Sequence, residues 1–430
     1  MAAVKIGLLG FGTVGRGVYK VLQTHREKIY NTLGVEVEIA RVLVRNLEKY
    51  QKTYPELSNL FTEDPREVID DPEIKIVVEV MGGIKPALDY VLQAMRNDKS
   101  VITANKDMIA EHGRELFATH EEQGVDFLFE ASVAGGIPII RTLKESLAGN
   151  NFKEVIGIIN GTTNYMLTKM SLYGAPYEEV LKEAQEKGYA EADPTSDVEG
   201  FDAARKLAIL ASIAFNSRVT FKDVYAEGIT RITPIDIQYA RELGGVIKLL
   251  GIAKEDEEGI EVRVHPTIIP QSHPLAAVND VFNAIFVEGD AVGPLMFYGR
   301  GAGELPTASA VIGDIIEAVK NIRHHDTGRI GCTCYLEKPV KPIGEISTKY
   351  YIRLVVEDKP GVLASVAQVF GNQGVSIASV IQKRSIEDLA ELVVMTHRVK
   401  ERHIRDAVSI LKGMSTVREI ANVIRAEGDF

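Results

Sequence analysis

"VKIGLLGFGTVGRGV" (residues 4–18) joins an apolar, β-branched run to a glycine-punctuated turn and then to a helical pattern. Gly10, Gly12 and Gly15 fall in G-x-G-x-x-G spacing directly after the strand. In that setting Gly10 permits the tight turn, Gly12 lets a pyrophosphate approach the backbone, and Gly15 allows close helix packing. The helix that follows then presents unpaired N–H groups to the phosphates. The spacing alone is weak evidence, and a glycine-rich structural turn would show it too. Its place between a strand and a helix is what makes it read as a dinucleotide site.

The same alternation continues. Apolar runs over 35–44, 74–80, 100–104 and 125–131 read as further strands, and 13–28, 85–98 and 106–123 carry helical spacing, with Pro86 where a first helical turn tolerates it. Residues 1–133 are therefore expected to form an α/β domain, a Rossmann-type doubly wound parallel sheet that binds a dinucleotide. The second strand ends "VLVRN", so Arg45 stands where NAD-preferring folds place an acid. A guanidinium there can pair with a 2′-phosphate, which favours NADP over NAD.

Beyond residue 133 the rhythm changes. Helical patterns over 137–148, 176–187 and 200–215 mix with the strands "FKEVIGII" and "GIEVRVHPTIIP", so 134–323 is expected to be an α+β substrate-binding and dimerisation domain. The helix 304–322 at its end is placed to return to the first domain. Residues 324–349 are polar and proline-punctuated and read as a linker. Residues 350–430 restart a compact order of strand, helix, strand, strand, helix, strand.

Composition narrows the function classes. The 430 residues carry a formal charge of −11, and that average field repels phosphate, so no nucleic-acid or membrane partner is expected. The N-terminus runs straight into a strand with no apolar signal region, and a cytoplasmic protein is expected. Cys332 and Cys334 cannot supply four metal ligands by themselves, and ordinary reduced thiols are expected.

The most chemical stretch is "EADPTSDVEGFDAARK" (191–206). Asp202 and Lys206 lie four residues apart on a helix whose remainder is small and apolar, which sets carboxylate and ammonium side by side. Such a pair is usually a surface salt bridge worth about 0.3 to 0.5 kcal/mol. Here Glu191, Asp193 and Asp197 lie just upstream and can surround an ammonium group. A second lysine, Lys106 in "TANK", follows the fourth strand at the edge where open α/β sheets bind ligands.

Taken together, "GLLGFGTVGRGV", "TANK", "FEASVAGGIPII", "NGTTNYML", "GYAEADPTSDVEGFDAARKLAIL" and "GRGAGELPTASAV" resemble homoserine dehydrogenases, in the family's order over residues 1–325. The resemblance implies reduction of L-aspartate 4-semialdehyde to L-homoserine with NADH or NADPH. By position it implies Lys206 as general acid/base, Lys106 against the substrate oxygen and nicotinamide, and Asp202 as the carboxylate beside Lys206. Glu191 and Asp197 match substrate-binding carboxylates. Phe11, Thr13 and Val14 join Gly10, Gly12 and Gly15 at the cofactor, with Gly188, Gly301 and Gly303 on loops that close over it. Glu130, Val133, Gly135 and Ile137 match the positions that hold a structural monovalent cation, sodium in many members. A homo-oligomer, dimer or tetramer, is expected.

Two rivals remain open at this point. A phosphorylating aldehyde dehydrogenase needs a thiolate near "NGTTNY", where no cysteine lies. A catalytically silent nucleotide- and amino-acid-binding regulator would not need both lysines and Asp202. In the tail, "EDKPGVLA" and the strand–helix order resemble an ACT domain, a ferredoxin-like amino-acid-binding module, which implies threonine as effector.

Overall fold

A computed structural model describes residues 3–386 and 388–429. The chain forms two compact units, each assembled from three segments: 1–152, 208–222 and 288–337 in the first, and 153–207, 223–287 and 338–430 in the second.

In the first unit, a parallel sheet runs in the order Phe61–Thr62, Val37–Leu43, Val4–Leu9, Ile74–Glu79, Ser100–Thr103, Phe127–Leu128. The first strand in sequence sits mid-sheet, which is the doubly wound arrangement that opens a crevice at the strands' C-terminal ends. Ile6, Leu8, Ile76 and Val78 are fully buried beneath helices on the sheet, as a parallel sheet covered on both faces requires. The helix Glu304–His324 brings Ala308, Val311, Ile315 and Val319 into that same core. Its close approach to the helix Thr13–Thr24 depends on Gly17, where an added Cβ would lie 2.6 Å from the Glu304 carbonyl oxygen.

Three local expectations give way. The pattern over 13–28 breaks at His25, which leaves helical geometry, and a second helix runs from Arg26 to Leu33. The strand expected over 125–131 shrinks to Phe127–Leu128, because Glu130 is drawn into a 3₁₀ turn whose N–H donates to Asp314 Oδ2 at 2.9 Å. The helix expected over 137–148 is shorter, covering 140–146, and its Thr142–Ser146 part is wound wider, with the Leu147 N–H reaching back to the Thr142 carbonyl. At Glu130 a side-chain acceptor takes the N–H that a strand ladder would use, and apolar periodicity does not report it.

The second unit is built on one continuous sheet. Its order is Phe282–Gly289, Phe152–Ile158, Gly245–Asp256, Gly259–Pro270, Val417–Ala426, Ser347–Glu357, Leu389–Thr396, Ile377–Ile386. The last four strands, with the helices Val362–Asn372 and Glu401–Lys412, make the βαββαβ module of the tail around its own core of Ile352, Leu354, Val366, Phe370 and Leu411. The seam is a parallel pairing of Thr267 and Ile268 with Arg425 and Ala426. Ionic contacts reinforce it. Arg263, fully buried, meets Glu427, and Arg353 Nε donates to the buried Asp236 at 2.8 Å.

Candidate active site

The glycine turn of the first unit does what its spacing requires. Gly10 has φ +109°, a conformation that side-chain-bearing residues rarely adopt. A Cβ on Gly15 would lie 2.4 Å from the Gly10 carbonyl oxygen, so the helix can pack against the turn only without it. Gly12 faces open space and caps the helix Thr13–Thr24 with no side-chain acceptor, which leaves the first N–H groups, from Thr13 and Val14 onward, for an anionic ligand. Phe11 is buried in edge-to-face contact with Tyr54 and Phe61, so only its backbone is available to a cofactor.

Beside this turn lies a cavity of about 580 Å³, within the range of small-molecule and cofactor sites. Gly10, Phe11 and Gly12 form one wall, and Arg45 and Lys49 border the side nearest the second strand. Lys49 has no signature in the sequence. It becomes visible only when Asn46 is seen to cap the helix Leu47–Thr53 by accepting from the Lys49 N–H at 2.8 Å, which sets that residue at the cavity's rim.

Lys106 is the first residue of the helix Lys106–Gln123. The backbone that carries it is held rigidly. Asn105 caps the helix by accepting from the Met108 N–H at 3.1 Å, and its amide donates to the Gly83 carbonyl at 2.6 Å. Behind it Glu79, completely buried, accepts from the Thr103 hydroxyl at 2.6 Å and the Met81 N–H at 2.8 Å. Burial pushes the Glu79 carboxyl up, against the pull of those donors.

Further along the same unit, the Glu130 carboxylate is occupied by the N–H groups of Ile140 and Arg141, at 2.7 and 2.8 Å. Ala134 and Gly135 follow with left-handed φ of +56° and +50° and fold the loop back on itself. Gly135 lies so close to the Gly301 carbonyl that a Cβ would come within 2.5 Å of it. The groups left to Val133, Gly135 and Ile137 are hard, neutral carbonyl oxygens. That donor chemistry suits an alkali cation and not a transition metal. Among the described residues no cluster of three His, Cys, Asp or Glu side chains is placed to hold a metal. Gly303, at φ +120°, begins the helix Glu304–His324.

In the second unit the acidic stretch sets one carboxylate, Asp202, against one ammonium. The helix Phe201–Ala214 carries Lys206 with Nζ 2.7 Å from Asp202 Oδ2, both side chains nearly buried at 12% and 8% exposure. Nζ also donates to the Ile159 carbonyl at 3.0 Å. The next residue, Asn160, donates its amide to Asp202 Oδ2 at 2.9 Å and to Asp197 Oδ1 at 2.7 Å. Its own Oδ1 accepts from the Thr163 N–H and hydroxyl, each at 2.8 Å, capping the helix Gly161–Tyr173. A buried asparagine thus fixes both carboxylates relative to Lys206. The one sequence signal for it is that Asn directly before a helix marks a cap, and nothing local ties that cap to the carboxylates.

The other acidic residues separate. Asp193 is spent locally, accepting from the Thr195 hydroxyl at 2.6 Å and its N–H at 3.1 Å. Glu191 is exposed on the loop, and its carbonyl accepts from the Gln185 amide at 3.1 Å. Gly188, at φ +72° and with open space where a Cβ would be, ends the preceding helix. A nearly buried lysine held by a carboxylate and a glycine turn open to an anionic ligand are among the parts that hydride transfer to a carbonyl requires.

Comparison with known proteins agrees with this chemistry. Residues 10–130 match the family model "Homoserine dehydrogenase, NAD binding domain", 138–316 match "Homoserine dehydrogenase", and 350–414 match "ACT domain". A homoserine dehydrogenase of Bacillus subtilis is 45% identical, with 100% of this chain and 99% of that protein covered. The crystal structure of a homoserine dehydrogenase from Thiobacillus denitrificans superimposes with a TM-score of 0.94 at 43% identity, covering 99% of each chain. A hyperthermophilic archaeal homoserine dehydrogenase, solved in complex with NADPH, matches at TM-score 0.64 and 27% identity over 74% of this chain and 98% of that one. The chain belongs to the homoserine dehydrogenase family, oxidoreductases acting on a CH–OH group, and carries a C-terminal ACT domain.

Proposed function

We propose that this enzyme interconverts L-aspartate 4-semialdehyde and L-homoserine with Lys206 as the proton donor and acceptor, and that it prefers NADPH to NADH. The observation that carries the assignment is the setting of Lys206 Nζ. Of its three N–H donors, one goes to Asp202 and one to the Ile159 carbonyl, which leaves the third for a substrate oxygen. In reduction the ammonium stabilises the alkoxide as it forms and then gives up the proton, while in oxidation the amine takes the hydroxyl proton. Asp202 holds Nζ in place and lowers the cost of its charge in a nearly water-free position. When bound, the nicotinamide cofactor supplies the hydride to the aldehyde carbon.

The remaining roles follow from the family resemblance and the local frames. Glu191 and Asp197 take the substrate's ammonium, and Lys106 takes its reacting oxygen beside the nicotinamide. Arg45, with Lys49, pairs with the 2′-phosphate. Glu130, Val133, Gly135 and Ile137 hold a sodium ion through oxygen atoms, a structural support that takes no part in the chemistry. Threonine acts on the ACT domain, where Gly361 and Gly374, at φ +90° and +71°, stand at the two ends of the helix Val362–Asn372, each with no atom within 4 Å of the position a Cβ would take. The product then stands on the route to threonine, methionine and isoleucine.

The test is homoserine-dependent reduction of NADP⁺ and NAD⁺ followed by absorbance. Turnover with both, at a higher kcat/KM for NADP⁺, is expected. No turnover with either, in a protein that still binds cofactor and amino acid, would make it the silent regulator instead.

A further inference from the structure

Cys332 and Cys334 belong to neither the cofactor site nor the carboxylate cluster, yet they sit in a built environment. Both thiols are free and partly exposed, and they border a cavity of about 210 Å³ within the first unit. Cys332 Sγ receives the Arg218 guanidinium at 3.1 Å and the Cys334 N–H at 3.5 Å, while the Cys334 thiol donates to the Ser212 carbonyl at 3.8 Å. Arg218 passes close over Gly113, where an added Cβ would lie 2.7 Å from the guanidinium. Lys144 closes the cavity, its ammonium 5.4 Å from the ring centres of both Phe117 and Phe129 and donating to the Gly331 carbonyl at 3.0 Å.

We propose that Cys332 and Cys334 form a peroxide-reactive thiol pair, with Cys332 as the attacking thiolate and Cys334 as the resolving thiol. Low-pKa, accessible cysteines beside a second thiol are the ones that react on the oxidation ladder. The charges facing Cys332 are Arg218, Lys144 and Arg114 against Glu111 and Glu121, the last of which accepts the Cys332 N–H at 3.0 Å. Hydrogen bonding from Cys334, with Arg218 and Lys144, outweighs burial and lowers the Cys332 thiol below its ordinary value. Cys334 moves the other way, up. The donors on Cys332 Sγ favour its thiolate, whereas Cys334 spends its S–H on the Ser212 carbonyl.

The chemistry balances. The Cys332 thiolate attacks one peroxide oxygen, the O–O bond breaks, and hydroxide leaves as Cys332 becomes a sulfenic acid. Cys334 sulfur then attacks the sulfenic sulfur, its proton joins the departing hydroxyl as water, and the Cys332–Cys334 disulfide forms. Two thiols are oxidised, and one peroxide is reduced to water. An added thiol reverses the change.

The experiment uses the full-length, prereduced enzyme. Iodoacetamide alkylation is followed at each cysteine by peptide mass spectrometry across pH, and a second sample is treated with hydrogen peroxide. Cys332 should alkylate at least about tenfold faster than Cys334 at neutral pH, with its rate half-maximal clearly below the ordinary thiol pKa of about 8.5. Peroxide should give the internal disulfide in the native enzyme, and in Cys334→Ser a sulfenic acid on Cys332 that dimedone traps. Arg218→Met should move the alkylation midpoint upward, and Arg218→Lys should restore much of the shift. Equal alkylation of both cysteines with an ordinary midpoint would overturn the proposal, as would peroxide treatment that leaves both thiols free or yields no internal disulfide.

Discussion

Asn160 stands at the junction of a strand, a helix cap and two carboxylates, and its amide touches both Asp197 and Asp202. Asn160→Ala removes a donor to each and releases the cap on the helix Gly161–Tyr173, a change worth about 1 to 2 kcal/mol in stability by the capping loss alone. If the asparagine also positions the site, kcat should fall by about tenfold or more in the folded variant, and Asn160→Asp, which keeps the cap acceptor but adds a third charge, should not rescue it. Circular dichroism and steady-state kinetics on the same samples separate the two effects. Much at this level is legible in the sequence, because Asp202 and Lys206 are near in the chain and helix geometry alone brings them together. Asn160 lies far from Asp202 along the chain, so its partnership with that carboxylate has no local signal. Asp193 misleads for the opposite reason: its charge suggests a ligand, while its Asp-x-Thr spacing marks a local turn.

The helices that frame the dinucleotide turn carry their own expectations. Gly17→Val would force a side chain against the Glu304 carbonyl and separate the helix Thr13–Thr24 from Glu304–His324. Overpacking of this kind costs about 1 to 3 kcal/mol, and a drop in Tm of several degrees should accompany it in calorimetry. At the rim of the cavity, Arg45→Ala should weaken NADPH binding by about 1.5 to 3 kcal/mol, the scale of a charge-assisted contact, and leave NADH almost unchanged. Isothermal titration with each cofactor checks it, and equal losses for both would refute the 2′-phosphate contact. The strands and long helices are legible because burial imposes a period of 2 or 3.6 on apolar residues. The wider winding at Thr142–Ser146 and the shortened strand at Phe127–Leu128 are not, since both are set by the partners of Glu130, which are Asp314, Ile140 and Arg141.

Across the molecule, the ACT domain is not an appendage on a linker, for its last strand extends the sheet of the second unit and its Glu427 meets Arg263 and Lys254. Burial would raise the Glu427 carboxyl, but Arg263 and Lys254 prevail and hold it well below the usual carboxylate range. A carboxylate with a depressed folded pKa contributes stability that is complete above its unfolded value of about 4.3 and is lost as pH falls through the folded one. Glu427→Gln should therefore lower Tm at pH 7 and show a shallower loss of stability on acidification than the native enzyme. Removing the whole tail would leave Arg263 buried without its partner, so threonine sensitivity is better tested in the intact chain with Asp358→Ala at the exposed strand-to-helix turn. The proposed threonine inhibition should be lost in that variant, with the basal rate kept. Whether Lys206 moves the proton is decided by Lys206→Met, assayed for both turnover and NADPH affinity. In that variant kcat should fall about 100-fold or more with the dissociation constant for NADPH unchanged within about twofold. Near-normal turnover would mean that another group moves the proton.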